Sequence, residues 1–180
     1  MSLHVWRHPK PIGAVGLCIG RTDLPVDRRK AKRLAHRIRA YARRHGHERC
    51  VVTSRLRRSA AVGRVLAAWG WQHAVDPRLD ELDFGAWEGR PWAEIAVGEI
   101  DDWVRDFPAC RLGGGESVSA LIERCHPVIA PRERVSTHRI VVGHAGWISA
   151  ALWLHLKGSE TPQASSWPAA VGYGRRITIG

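Results

Sequence analysis

Arg7 and His8 follow a short apolar run, Leu3 to Trp6. Arg58 lies in Thr53-Ser-Arg-Leu-Arg-Arg-Ser-Ala60, just past a second such run. His144 ends a third, in Val141-Val-Gly-His-Ala-Gly-Trp147. In an α/β protein functional groups collect where parallel strands end. Three strand ends carrying Arg7, His8, Arg58 and His144 would make a cationic pocket, and such a pocket suits a phosphoryl group.

The chemistry follows from the residue types. A phosphoryl group in transfer spreads its charge over three equatorial oxygens, so catalysis is mostly positioning and charge stabilisation. Guanidinium forks match that geometry. A neutral imidazole can attack phosphorus and carry the group covalently, provided one ring nitrogen is tied down and the other faces the substrate. A carboxylic acid beside the leaving oxygen can protonate it. Taken singly, each residue has a plainer reading: His8 as a satisfied core histidine, Glu81 as a salt-bridge or capping carboxylate. His144 is less ordinary, because a strand-to-helix turn offers backbone N–H groups to an anion. His4, His36, His45, His47, His73, His126, His138 and His155 lack such settings and are expected to be structural or exposed.

The elements that must position these groups alternate. Strands are expected at Leu3 to Trp6, Cys50 to Thr53, Ala74 to Asp76 and Arg139 to Val142, with a final edge strand from Tyr173 to Ile179. Helices are expected at Val26 to Arg44, ended by Gly46, and at Leu56 to Trp69, Pro91 to Phe107, Glu116 to Ile129 and Trp147 to Leu156. That alternation predicts an α/β three-layer sandwich, a mostly parallel central sheet with helices on both faces. At 180 residues the chain is expected to form a single domain, residues 1–180, with a core that needs neither disulfides nor metal.

Composition narrows the classes further. Apolar stretches of only a few residues span no membrane. Met1 to Arg7 has no apolar core of the length secretion needs, so a cytoplasmic protein is the expectation. Cys18, Cys50, Cys110 and Cys125 are scattered and expected to be reduced thiols, and no close ligand pairs suggest a metal site. The net charge of +11 comes from 28 basic and 17 acidic residues. The excess concentrates between Arg28 and Arg64, where Glu48 is the only acid. Such a block could contact nucleic-acid phosphates. No aromatic residue interleaves with Arg28 to Arg39, so it is read as a solvated helix face and nucleic acid is not expected as a partner.

The spaced strings together resemble the histidine phosphatase, or phosphoglycerate-mutase-like, superfamily. Val5-Trp-Arg-His-Pro9 is similar to its Arg-His-Gly signature, and Ser54-Arg-Leu-Arg-Arg-Ser59 to its Ser-x-Leu-x-Arg-Ala. Leu79-Asp-Glu-Leu-Asp-Phe-Gly-Ala-Trp-Glu-Gly89 looks like the segment with the family's proton donor. Gly114-Gly-Glu-Ser117 and Val142-Gly-His-Ala-Gly146 complete the set. Gly20-Arg-Thr-Asp23 and Asp83-Phe-Gly-Ala-Trp-Glu-Gly89 look most like the small α-ribazole phosphatase branch, which acts in cobalamin assembly. Pro9 and Ala145 replace glycines of the family pattern, and the asparagine that many relatives carry after the first motif is missing.

The resemblance implies a histidine-phosphatase-like domain with catalytic Arg7, His8, Arg58, Glu81 and His144. His8 would be the nucleophile and Glu81 the proton donor. Arg21, Trp87, Trp92 and Ala145 would lie near the leaving group. Neither metal nor cofactor is implied. The expected activity is hydrolysis of a small phosphorylated substrate, nucleotide-like as in α-ribazole 5'-phosphate. Two alternatives stand beside it: phosphoglycerate-mutase-type transfer, and a non-catalytic protein that binds a phospho-ligand or nucleic acid.

Overall fold

The computed structural model describes residues 2–130 and 138–180. Five strands, β1 (Ser2–Arg7), β2 (Cys50–Thr53), β3 (Gln72–Val75), β4 (His138–Gly143) and β5 (Arg176–Ile179), form one sheet in the order β3-β2-β4-β1-β5. The first four are parallel; β5 runs antiparallel along β1 at the edge. Five α-helices accompany them: α1 (Arg28–His45), α2 (Arg57–Ala67), α3 (Val97–Arg105), α4 (Val118–Ile129) and α5 (Ala145–Lys157).

Strand periodicity builds the layers. Successive side chains point to opposite faces of a sheet. Leu3 and Val5 of β1 and Val141 of β4 pack with Leu121, Trp147 and Ile148 of α4 and α5. Trp6, Ile140 and Val142 point the other way, onto Leu34 and Ile38 of α1 and Val62 and Leu66 of α2. Both faces are covered, so β1 and β4 are apolar on both sides, as buried parallel strands are. The α/β three-layer architecture expected from the sequence is therefore the one observed.

Local chemistry sets the helix ends. The Asp27 carboxylate accepts the N–H groups of Arg29 and Lys30 and starts α1; Gly46, at φ 66°, ends it in the left-handed region. The Ser117 hydroxyl caps α4 through the N–H of Ala120. The expected Pro91 to Phe107 helix is broken in two. A 3₁₀ turn at Trp92–Glu94 precedes α3, because Ile95 and Ala96 are extended. The last strand is shorter than expected. Tyr173 and Gly174 form a turn before β5, with Gly174 at φ 68°.

Register fixes what meets at the carboxyl end of the sheet. Arg7 of β1 lies opposite Gly143 of β4, and Val142 of β4 opposite Thr53 of β2. The residues that follow, His8, Ser54 and His144, emerge side by side. Among the described residues no helix is long and apolar enough to cross a membrane.

Candidate active site

His8 leaves β1 with its backbone N–H bonded to the Gly143 carbonyl at 3.0 Å. Its ring is buried. Nδ1 donates to the carbonyl of Pro9 at 2.7 Å, which places the proton on Nδ1 and leaves Nε2 with a lone pair. Proline has no N–H to offer an anion, but its carbonyl supplies the acceptor that fixes the tautomer. Burial, and then Arg58 and Arg7 close by, push the His8 pKa well below the usual histidine value, against the opposing pull of the Pro9 hydrogen bond. The imidazole is neutral, as a nucleophile must be.

His144 ends β4 and precedes α5. Its ring centroid is 4.8 Å from that of His8. Its Nε2 lies 2.6 Å from Ser54 Oγ, and that oxygen accepts the N–H of Leu56 at 3.3 Å. With the serine hydrogen turned to Nε2, the histidine proton sits on Nδ1. This Nδ1 is buried and has no protein acceptor among the described residues. Burial, then His8, Arg58 and Arg7, lower the His144 pKa well below its ordinary value.

Arg58 projects from the first turn of α2 and is almost fully buried, at 1% exposure. Burial lowers its pKa, while Glu81, Asp23 and Glu88 support the charge. Its guanidinium donates to the carbonyl oxygens of Thr22, at 2.7 Å, and of Gly20. That loop is itself pinned. The Glu88 carboxylate accepts the N–H groups of Gly20, Arg21 and Thr22 at 3.2, 2.7 and 2.8 Å, the Thr22 hydroxyl, and the N–H of Phe84 at 3.1 Å. Arg7 donates to the Val171 carbonyl at 2.6 Å, and its guanidinium carbon sits 3.8 Å from the centre of the Tyr173 ring. Its Nε, like Nδ1 of His144, is a buried donor without a protein acceptor among the described residues.

Glu81 faces these groups and supports the charge of both Arg7 and Arg58. Its carboxylate accepts the N–H groups of Gly146 at 3.1 Å, Trp147 at 3.0 Å and Leu82 at 3.1 Å, and so sits at the N-terminus of α5, where the helix dipole favours negative charge. Arg124 of α4 sets the height of this loop by donating to the carbonyls of Arg78 and Asp80 at 2.9 and 2.8 Å. Its opposite nitrogens grip Glu116 at 2.9 and 2.8 Å. The neighbouring carboxylates are engaged elsewhere: Asp83 accepts the N–H of Gly85 at 2.9 Å, and Glu88 is saturated by the Gly20 to Thr22 loop.

The five residues assigned from the motifs, Arg7, His8, Arg58, Glu81 and His144, are thus brought together. The residues expected near the leaving group fare unevenly. Trp87 is buried in the 3₁₀ turn Gly85–Trp87, and its indole N–H donates to Glu99 at 2.8 Å. Trp92, 41% exposed, packs edge-on against Phe84. Arg21 is tethered to Asp83 at 3.4 Å and Glu116 at 3.8 Å. Ala145 opens α5, half-buried, directly after His144. Sequence reasoning missed Tyr173, whose ring centroid is 5.5 Å from that of His8; no motif marks it, and only the return of the chain along β1 brings it there. It also missed Ser54 as the partner of His144, although the residue stood in a quoted motif.

Comparison with known proteins bears on the family. The family model of the histidine phosphatase superfamily (branch 1) matches residues 3–171. The chain belongs to that superfamily. A probable phosphoglycerate mutase, GpmB, of Yersinia pestis (strain Pestoides F) is 30% identical over 138 residues, covering 72% of this chain and 61% of that protein. The chain thus spans about three fifths of the length of the curated relatives it matches. Among solved structures, the mycobacterial glucosyl-3-phosphoglycerate phosphatase Rv2419c in complex with VO3 superposes with a TM-score of 0.81 at 24% identity, covering 99% of this chain and 92% of that one. TTHB049 from Thermus thermophilus gives 0.72 at 23% identity, covering 99% and 93%. At such identities the likeness is one of fold, and the histidine phosphatase fold is what this chain shares with them.

Two predictions come from this geometry. A Cβ built on Gly146 would lie 2.6 Å from Glu81 Oε1, in contact with a carboxylate that three N–H groups hold in place. Gly146→Ala should therefore displace Glu81 and lower kcat/KM by about tenfold or more, a barrier increase of about 1.4 kcal/mol. Ala145→Gly, one residue earlier, should leave the rate within about twofold. Steady-state kinetics on both variants checks the contrast. The second concerns stability. His8 and His144 are neutral when folded and have depressed pKa values, so below about pH 6.5 the unfolded chain binds more protons. Their contribution is complete above that pH and falls as the pH drops towards the folded values, by up to about 1.4 kcal/mol per pH unit for each histidine. Urea unfolding midpoints should fall between about pH 6.5 and about pH 5, and the His8→Asn/His144→Asn double variant should fall less steeply.

Proposed function

We propose that this chain is a metal-independent phosphomonoesterase that works through a phosphohistidine on His8. The observation that carries the reading is one arrangement of donors. Among the described residues Nε2 of His8 has a lone pair and no protein partner, the His144 ring lies 4.8 Å away, and Arg7 Nε and, with His144 accepting from Ser54, His144 Nδ1 are buried donors with no protein acceptor. Buried donors are almost always satisfied. An anion with several acceptor oxygens, set against His8, satisfies both.

The steps balance as follows. Nε2 of His8 attacks phosphorus in line, forming the N–P bond as the bond from phosphorus to the substrate oxygen breaks. Glu81, protonated, gives its proton to that oxygen and the alcohol leaves. Water then attacks the phosphohistidine, Glu81 takes its proton, and inorganic phosphate departs as His8 regains its lone pair. Arg7, Arg58 and His144 hold the equatorial oxygens throughout. The substrate is a small phosphate monoester, with α-ribazole 5'-phosphate as the specific candidate. Mutase-type transfer is the second reading, favoured by the similarity to a protein described as a probable phosphoglycerate mutase.

His8→Ala should abolish hydrolysis while the chain stays folded by circular dichroism, and rapid-quench labelling should trap phosphate on His8 of the unaltered protein. Retention of more than a trace of activity in His8→Ala would sink the mechanism. Glu81→Gln should slow release of a ribose alcohol by about 10²-fold or more but p-nitrophenyl phosphate much less, since p-nitrophenolate needs no proton to leave. Assaying α-ribazole 5'-phosphate, glucosyl-3-phosphoglycerate and 3-phosphoglycerate side by side separates the substrate classes; interconversion of phosphoglycerates without phosphate release would favour the mutase.

Independence from metal follows from the same donors, because Arg7 and Arg58 supply the positive charge at the phosphoryl oxygens and His144 adds a neutral N–H donor. Dialysis against a chelator should leave the rate unchanged. A loss restored by Mg²⁺, Mn²⁺ or Zn²⁺ would overturn this.

A further inference from the structure

The face of the sheet covered by α1 and α2 carries a second set of cations that the proposed catalysis does not use. Helices α1 and α2 pack side by side on one face of the sheet, and two clefts follow one another along the seam. The first, about 510 Å³, is lined by Arg28, Arg29 and Lys32 of α1 and by Arg57 and Arg64 of α2. The second, about 530 Å³, continues one turn further with His36, Arg39, Arg43 and Arg49, and its remaining wall includes Trp69 and Trp71. An α-helix repeats every 3.6 residues, so Arg28, Lys32, Arg39 and Arg43 fall on one stripe of α1, along the edge of the buried face that carries Leu34 and Ile38.

None of these basic side chains has a carboxylate within salt-bridge distance among the described residues. Elsewhere several arginines do: Arg21 with Asp83, Arg55 with Asp80, Arg78 with Asp76, Arg105 with Asp102, Arg124 with Glu116. The first turn of α1 also breaks a local rule. Arg28, Arg29 and Lys30 occupy the positive end of a helix dipole, with no acid in that turn and Asp27 occupied in capping backbone N–H groups. Cations placed against their local field with no internal compensation mark a site built for an external anion. The aromatic component that the α1 sequence lacks is supplied from the end of α2. The Trp69 ring lies 4.5 Å from that of His36 and 4.8 Å from the Arg39 guanidinium carbon.

We propose that the α1–α2 groove binds a single strand of nucleic acid, its phosphates along the Arg28 to Arg43 stripe and a base against the Trp69 and His36 wall. A row of cations with aromatic surface at one point is the make-up of a sequence-tolerant single-strand site. A purely electrostatic surface would have the cations without the aromatic wall.

The test is fluorescence anisotropy with a labelled oligothymidylate of about 12 nucleotides, within the span of known single-strand sites. Binding should appear at about 50 mM salt and weaken linearly in log–log form, with a slope of about −0.7 for each phosphate contacted. Lys32→Ala and Arg39→Ala should each flatten that slope by about 0.7 while leaving p-nitrophenyl phosphate hydrolysis unchanged. Trp69→Ala should weaken binding by about fivefold or more at unchanged slope, the lower range for one stacked base, and Trp69→Phe should retain it and control for folding. No binding at about 50 mM salt, affinities indifferent to these variants, or equal or tighter binding of a duplex of the same length would each overturn the proposal. So would sedimentation with anionic phosphatidylglycerol vesicles in the absence of oligonucleotide binding.

Discussion

Burying positive charge is the constraint on which the rest of this structure depends. Arg58 is sealed from solvent, and two imidazoles lie beside it. An uncompensated charge at such depth costs several kcal/mol. The protein compensates it with main-chain dipoles and keeps the nearest carboxylate, Glu81, for the pocket. Arg58 is therefore satisfied by the carbonyls of Gly20 and Thr22. A loop of three residues is too pliable to fix a guanidinium alone. Glu88 makes it rigid by collecting its N–H groups from the other side. The same device recurs at Glu81, where Arg124 holds the loop by its carbonyls and α5 offers its first N–H groups. Arg58 and Glu81 are thus each aimed by backbone that a second, oppositely charged side chain immobilises.

How much of this was legible in the sequence depended on range. The strand ends were, because apolar runs that break into Arg7, His8 and His144 are local patterns. Arg58, among three arginines of its string, and Glu81 were singled out only by the resemblance of their motifs to the family's. The α1 helix was bounded within two residues, since Asp27 and Gly46 are local signals. The rest required contacts between distant segments. Tyr173 reaches Arg7 and His8 only because β5 returns antiparallel along β1. Trp87 is buried in a 3₁₀ turn with its indole N–H on Glu99, a contact that no local pattern announces. The extended pair Ile95 and Ala96 split a helix whose apolar spacing had seemed continuous, which shows periodicity alone passing over a break.

The carboxyl-terminal turn gives the pocket its rim. The Gly174 N–H reaches the Arg7 carbonyl at 3.0 Å, the Arg7 N–H reaches the Arg175 carbonyl at 3.0 Å, and Val171 takes the Arg7 guanidinium at 2.6 Å. Arg7 is consequently clamped by main chain on its outer side and by the Tyr173 ring across its plane. A guanidinium stacked this way keeps its orientation while its Nε stays available to a ligand, at little entropic cost on binding.

The two cationic surfaces show that one residue type can be put to opposite uses. At the strand ends Arg58 is buried and Arg7 half-buried, both held in orientation, so a phosphoryl oxygen placed there meets preorganised donors in a low dielectric, where each is worth far more than in water. Along α1 many arginines stand in solvent, where salt screens them within about 10 Å and single contacts are weak. Such a surface gains affinity only from number, through an extended polyanion that displaces many counterions at once. A single phosphate should therefore choose the strand ends and a strand of phosphates the groove, since the first rewards geometry and the second rewards length.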